Sequence, residues 1–440
     1  MAHYTHKINY PVKIQVEVTT RCNMACSMCV KYADGSDIQE ADLKFESFKK
    51  LSSALEHCEV LILNGIGEPL LHPELAEMAA FAKERMPKGS SIGFQTNGLL
   101  ITDQKAESLV ESGVDTFCIS IDSLESGDCN VGELHGQTCI DRLARTFSKL
   151  SSAGEKYGRK VRLGVEFVLM AETYKQLPQV ISWASSHGAE FVVCSHVFAY
   201  NKSMQDQSLF NTNTSKAYSL FKKWQNLATE HGVDFYNYFD VVFKFIKSDT
   251  DKKLVDIVKD MFADAKSQDI WINFRSLIEW DKRMQSNTFN DINRIYAESV
   301  ELAERSGIAL RMPPLMASDN LSCRFLEEGA VFITSMGDIS PCQFLWHGFS
   351  CYMDGSEKVV KPTVFGNLDD GDFSDVWNSV KYVQFRDDVL KYEYPYCSNC
   401  SLVPCDDIIG RANDFEYDCL GVKVPCGHCP WAMGGLQCLL

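Results

Sequence analysis

The chain has 440 residues, 45% of them hydrophobic, enough to bury one large core or two smaller ones. Its 43 basic and 59 acidic residues leave a net charge of -16 with no basic run, which argues against a nucleic-acid partner and gives an anionic membrane surface nothing to attract. The opening MAHYTHKINY lacks the pattern of a signal peptide, and no apolar run approaches the ~20 residues needed to cross a bilayer, so the expected location is the cytoplasm.

From residue 14 to about 197, short apolar runs alternate with longer amphipathic stretches, the pattern of parallel strands joined by crossover helices. Strands are expected at 14–19, 60–65, 91–96, 116–121, 161–169 and 190–197. The fold class is therefore α/β, a partial (β/α)6 TIM-like barrel over residues 1–202. Residues 203–306 are polar, aromatic-rich and at helical spacing, which predicts a helical insertion. Residues 307–322 hold one more strand, GIALRMPP, stopped by Pro313 and Pro314, and a linker. The remainder, 323–440, is short, turn-rich and dense in cysteine and glycine, as in a small domain whose core is replaced by metal clusters.

Eighteen cysteines in a chain this large, with no export signal, point to metal rather than to disulfides. Cys58, Cys118, Cys129, Cys139 and Cys194 stand alone and read as small buried apolar residues. Cys22, Cys26 and Cys29 fall in a C-x3-C-x2-C spacing directly after the first strand, with no obvious fourth ligand nearby. A structural zinc site closes with four ligands, whereas three thiolates suit a [4Fe-4S] cube whose fourth iron stays open to a substrate or cofactor. Gly65 to Pro69, Thr96 to Gly98 and Ser120 to Asp122 all fall, like the three thiols, at carboxyl ends of expected strands, where barrels carry their chemistry.

The C-x3-C-x2-C run resembles the signature of the radical S-adenosylmethionine (radical SAM) enzymes, and the likeness extends down the chain. NGIGEP resembles that family's Gly-Gly-Glu-Pro element, here with Ile66 between the glycines, which implies a cofactor-binding role for Gly65, Gly67, Glu68 and Pro69. TNG (with Asn97) and SID (with Ser120 and Asp122) match elements ending the third and fourth strands, and Met28 holds the position that contacts adenine in relatives. Relatives often carry an Arg-Gly that holds the methionine carboxylate; the counterpart here is His135 and Gly136, with Arg142 and Arg145 as alternatives, and an ordinary solvated helix start is an equal reading.

The tail resembles the SPASM extension of that family. Cys323 and Cys342 form C-x13-G-x4-C; Cys397, Cys400 and Cys405 begin the second block as C-x2-C-x4-C; Cys419, Cys426, Cys429 and Cys438 then depart from it as C-x6-C-x2-C-x8-C. The resemblance implies three [4Fe-4S] clusters, one radical-generating and two auxiliary, together with S-adenosylmethionine and a flavodoxin- or ferredoxin-type reductant. Two auxiliary cubes need eight ligands, so one of the nine tail thiols is left over; zinc knuckles are the competing reading of this tail. Sulfatase-maturing relatives place an Asp base after the second cysteine of C-x13-G-x4-C, but Gln343 stands here and cannot take a proton at neutral pH. A first strand at about residue 14 leaves no amino-terminal peptide-binding extension, so a leader-dependent maturase would need that domain as a separate chain.

The expected activity is that of a radical SAM/SPASM oxidoreductase acting on a peptide, protein or protein-bound cofactor. A small-molecule dehydrogenase or epimerase is the first alternative and a non-catalytic electron carrier the second. An epimerase would need a hydrogen donor, for which Cys351, outside the cluster spacings, is the candidate.

Overall fold

The computed structural model describes residues 9–124, 139–286, 291–353, 356–397, 400, 415–437 and 439. Strands β1 (Lys13–Val16), β2 (Val60–Ile62), β3 (Ser91–Thr96), β4 (Thr116–Ser120), β5 (Arg162–Leu169) and β6 (Phe191–His196) lie side by side in chain order, all parallel. Crossover helices such as Leu75–Arg85, Asp103–Glu111 and Leu177–Ser186 cover the outer face, and Ile14, Phe94, Phe117, Val165 and Val192 are fully buried beneath them. The opposite side chains of the same strands include Gln15, Gln95, Glu166 and Ser195, so the period-2 alternation turns a polar stripe toward the barrel interior.

Beyond β6, strand β7 (Asn211–Thr214) opens the 203–306 segment, and β8 (Ala309–Arg311) returns to pair in parallel with β6 at the sheet edge. Strand β9 (Met316–Ala317) then pairs with β7. Helices Ser215–Glu230, Asp249–Ser267 and Phe274–Met284 build a core of their own around Phe221, Met261 and Leu277, while helix Ile292–Ser306 packs back on Leu177–Ser186.

The tail contributes more to the sheet than its cysteine density suggests. Strand β10 (Ala330–Ile333) pairs in parallel with β1, Lys13 opposite Ala330 and Val16 opposite Ile333, and β11 (Asp338–Ser340) follows antiparallel. The run AVFI is buried at every position, as expected of a strand covered on both faces. The hairpin β12 (Phe349–Met353) and β13 (Ser356–Val360) stands apart, and β14 (Gly366–Asn367) closes the far edge. The barrel thus holds eight parallel strands among the described residues: the expected six, the further strand expected within 307–314, which is β8, and β10, which was not expected.

Candidate functional site

The loops at the carboxyl ends of the strands are tied together by buried carboxylates. A Cβ on Gly67 would lie 2.3 Å from the Thr19 carbonyl oxygen and one on Gly65 2.4 Å from the Glu17 side chain, so both glycines are required by close approach to the chain leaving β1. Glu17 is fully buried: one oxygen accepts the Ile66 N–H (3.1 Å), the other the Ser335 N–H (3.0 Å) and pairs with the His347 ring (2.9 Å). Glu68 is equally occupied, accepting from the Thr96 hydroxyl (2.7 Å) and the N–H groups of Leu70 and Asn97 (3.1 and 2.8 Å). Its own N–H donates to the Arg21 carbonyl (2.8 Å), Pro69 starts the short turn behind it, and the Asn97 amide donates to Asn23 (2.9 Å) in the cysteine loop. These residues hold the loop geometry.

Cys22, Cys26 and Cys29 converge in that frame. Burial pushes the Cys26 thiol up to about 12, with Asp122, Cys29 and Cys22 adding to it through their charges. The Cys29 thiol is raised too, first by burial. Three gathered thiols, of which Cys26 and Cys29 resist ionising, beside a carboxylate, are a donor set that a bound cation makes favourable, which fits iron. Met28 lies on the wall of an adjoining cavity of about 200 Å³, with Gln95, Glu166, Ser195, Tyr200 and Gln343. The Ser120 hydroxyl accepts from Gln95 of that wall (3.1 Å).

Two carboxylates here have no donor among the described residues. Burial raises the carboxyl of Asp122, and burial followed by repulsion from Asp122 pushes Glu166, opposite Ser120 in the β4–β5 register, up to about 7. One Glu166 oxygen is buried with no partner. Glu17 and Glu166 escaped the reading of the sequence; the signal was a lone acid on the interior face of an otherwise apolar strand. A second cavity of about 330 Å³ shares His196 to Phe198 and Leu436 with the first and reaches Trp280 and Arg283 of the inserted helices.

In the tail the thiols fall into two groups. Cys426, half-buried, feels the charges of Cys429, Cys323 and Cys342, and the buried Cys429 those of Cys342 and Cys323. Around this group of four lie buried donors with no acceptor: the Trp346 and Trp431 indoles, the Tyr394 hydroxyl and the His428 ring. Thiolate and sulfide sulfurs are the acceptors that such orphaned donors fit. A second group joins Cys397, Cys400 and Cys419 beside Asp418. Among the described residues no three His, Cys, Asp or Glu side chains gather as a single-ion site requires. Cys29, Cys342 and Cys429 belong to or border one shared apolar cluster, so the barrel loop and the first tail group share a core.

Other expected site residues fare differently. His135, Cys405 and Cys438 lie outside the described residues. Arg142 donates to the Leu99 carbonyl (2.6 Å) and Arg145 to the carbonyl of Asp141 on its own helix, so both are engaged within the fold. Cys351 is fully buried, its thiol pushed up to about 12 by burial, and lines neither cavity, whereas its neighbour Tyr352 lines the second.

A parallel barrel with three thiols on its first loop, joined to a tail holding grouped thiols, is the arrangement of an iron-sulfur protein. Residues 16–184 match the radical SAM superfamily model and 323–401 the SPASM iron-sulfur cluster-binding domain; the two cover more than half the chain. The chain belongs to the radical SAM superfamily of enzymes and carries a SPASM domain. It is 26% identical over 429 residues, 97% of this chain and 96% of the relative, to the tungsten-containing aldehyde ferredoxin oxidoreductase cofactor-modifying protein of Pyrococcus furiosus. It is 27% identical over 184 residues, 41% of this chain and 44% of the relative, to the mycofactocin maturase MftC of Mycolicibacterium smegmatis. Among solved structures it is similar to Streptococcus suis SuiB bound to S-adenosylmethionine, with TM-score 0.49 and 12% identity over 86% of this chain and 68% of that one. No helix of the described residues is long and apolar enough to cross a membrane.

Proposed function

We propose that this protein is a radical SAM/SPASM oxidoreductase of the maturase type, acting on a cofactor that is bound to or destined for a protein. A peptide or protein side chain is the nearest variant of that substrate. The observation that carries the reading is the convergence of Cys22, Cys26 and Cys29 beside Asp122, on a loop whose Met28 lines a cavity shared with residues of the tail. Near end-to-end similarity to a cofactor-modifying protein supports the substrate class.

When bound, an open [4Fe-4S] cube with S-adenosylmethionine supplies a 5'-deoxyadenosyl radical that abstracts hydrogen. Cys22, Cys26 and Cys29 would hold the cube, and Met28, Ser120 and Asp122 would face the cofactor. The glycines at 65 and 67 let the GIGEP backbone approach the cysteine loop, and Glu68 fixes Asn97 against it. Glu166 takes the place of proton acceptor that Gln343 cannot fill: its carboxylate lines the same cavity without a partner of its own. The tail residues Trp431 and Leu436 close the cavity and keep water from it. The larger cavity, walled by the inserted helices, admits the part of the substrate that does not react. A flavodoxin- or ferredoxin-type protein is the proposed electron donor.

The grouping of the tail thiols assigns one auxiliary cube to Cys323, Cys342, Cys426 and Cys429. It assigns the other to Cys397, Cys400 and Cys419 with one of Cys405 or Cys438, which leaves the ninth thiol spare. Anaerobically purified protein should hold close to three cubes and, once reduced, convert S-adenosylmethionine to 5'-deoxyadenosine. Cys26→Ala should abolish that conversion while removing only roughly a third of the iron. Intact clusters with no 5'-deoxyadenosine from the native protein would instead mark an electron carrier.

A further inference from the structure

We propose that the tail sets how tightly the barrel holds S-adenosylmethionine through His347, a positioning residue that acts on the GIGEP loop by way of the Glu17 carboxylate. The inference rests on the cofactor-binding reading of that loop and adds a tail residue outside every assigned ligand set. Glu17 directly follows β1, and its N–H continues the pairing with β10 by donating to the Ile333 carbonyl (2.8 Å). The turn after β10 is shaped by Gly337, the glycine of C-x13-G-x4-C, whose φ of 83° suits glycine and whose N–H donates to the Thr334 carbonyl (2.8 Å). That turn presents the Ser335 N–H to Glu17, and five residues past Cys342 the chain brings His347 to the same oxygen.

A carboxylate accepts at both oxygens, and this position uses both. One oxygen holds the Ile66 N–H in the middle of GIGEP (3.1 Å); the other takes the two tail donors, Ser335 (3.0 Å) and His347 (2.9 Å). The loop rests directly on this side chain, since a Cβ at Gly65 would overlap Glu17 Cγ at 2.4 Å. The His347 ring is itself set by its neighbours: it lies beside Trp346 (ring centroids 5.4 Å), which stands edge-on to the fully buried Phe332 of β10 (4.9 Å). Glu17 is wholly enclosed, and a charge so deeply buried persists only while its donors stay in place. Without His347, two backbone N–H groups are left to hold it, and the carboxylate turns or takes up a proton. Either response loosens its hold on Ile66 and so on the loop that receives the cofactor.

The test is calorimetric titration of S-adenosylmethionine into the full chain with its clusters loaded. His347→Phe should weaken binding by roughly tenfold, the loss of one hydrogen bond to a buried charge. His347→Gln, which keeps an N–H for the carboxylate, should restore most of it. Glu17→Gln should weaken binding even with His347 present, because an amide can accept on only one side, and adding His347→Phe to it should cost little more. Native affinity in His347→Phe, equal losses in His347→Phe and His347→Gln, or additive losses in the double variant would overturn the role of His347. A His347→Phe protein that fails to fold or to load its clusters would overturn it too, making the residue a structural one. Native, cluster-loaded protein that binds no S-adenosylmethionine would instead overturn the reading of the loop on which the inference rests.

Discussion

The chain buries acids in two regions, and it treats them in opposite ways. In the inserted helices, Asp281 is 1% exposed and surrounded by donors: the Tyr218 hydroxyl (2.6 Å), the Gln225 and Gln285 amides (both 3.0 Å), the Tyr236 hydroxyl and the Lys222 ammonium. Burial alone would push its carboxyl up, but those hydrogen bonds outweigh it and hold the group below the usual carboxylate range. In the barrel, Asp122 and Glu166 are half-buried, have no such donors among the described residues, and are raised. A carboxylate whose interactions are all satisfied within the fold has nothing left to offer a ligand. Two that have no donor among the described residues, near enough for Asp122 to repel Glu166, cost stability and are retained for what binds there.

The largest effect should come from breaking the satisfied group. Asp281→Ala would strand two tyrosine hydroxyls, two amides and an ammonium in the core of the insertion, at a cost of about 3 kcal/mol. Thermal unfolding and limited proteolysis of helices 215–284 should report it. The low carboxyl pKa also fixes the sign with acid: this stabilisation is present at neutral pH and is lost as pH falls below the ordinary aspartate value. Formation of 5'-deoxyadenosine by the surviving folded protein should be unchanged; a specific loss there would mean that the insertion shapes the reactive site directly.

The same contrast explains what was legible in the chain. The strands from β1 to β6 were readable because parallel strands covered on both faces are short apolar runs between amphipathic helices, and the boundaries fell within a few residues. Strand β10 was hidden because AVFI lies inside the cysteine-framed run from Cys323 to Cys342, away from the alternation of strands and long helices, and only the pairing with β1 reveals its purpose. The three thiols of the first loop were legible because their spacing is local. The two tail groups were not, since Cys323 meets Cys426 only after a hundred residues of intervening chain. Glu17, Glu68 and Glu166 look alike as letters. That Glu68 is spent on Thr96 and Asn97 while Glu166 is free depends on what lies opposite each in three dimensions.

A middling effect is expected at Asp122, the acid that also feels Cys26. Asp122→Asn should weaken S-adenosylmethionine binding by roughly tenfold or more, equivalent to about 1.4 kcal/mol or above, measured by calorimetry on cluster-loaded protein. Thermal stability should be unchanged or slightly higher, the reverse of Asp281→Ala. A destabilised variant with normal affinity would place Asp122 with the structural acids and dissolve the distinction between the two regions.

Glu166 gives the finest discrimination, because its sign depends on pH. Its carboxyl titrates near 7 in the folded chain, against the usual value near 4.5 when unfolded. Below pH 4.5 it is neutral in both states and contributes nothing. Between 4.5 and 7 unfolding lets it release a proton that the folded chain retains, so stability declines as pH rises; above 7 the penalty is complete. Glu166→Gln removes the ionisation and should therefore stabilise the protein lacking S-adenosylmethionine at pH 8, by on the order of 1–2 kcal/mol once cavity water is allowed for, with little gain at pH 5. Melting curves of both proteins at the two pH values measure the difference. Equal gains at both would trace the effect to packing, and a loss at pH 8 would show that Glu166 has a hidden partner and belongs with Asp281.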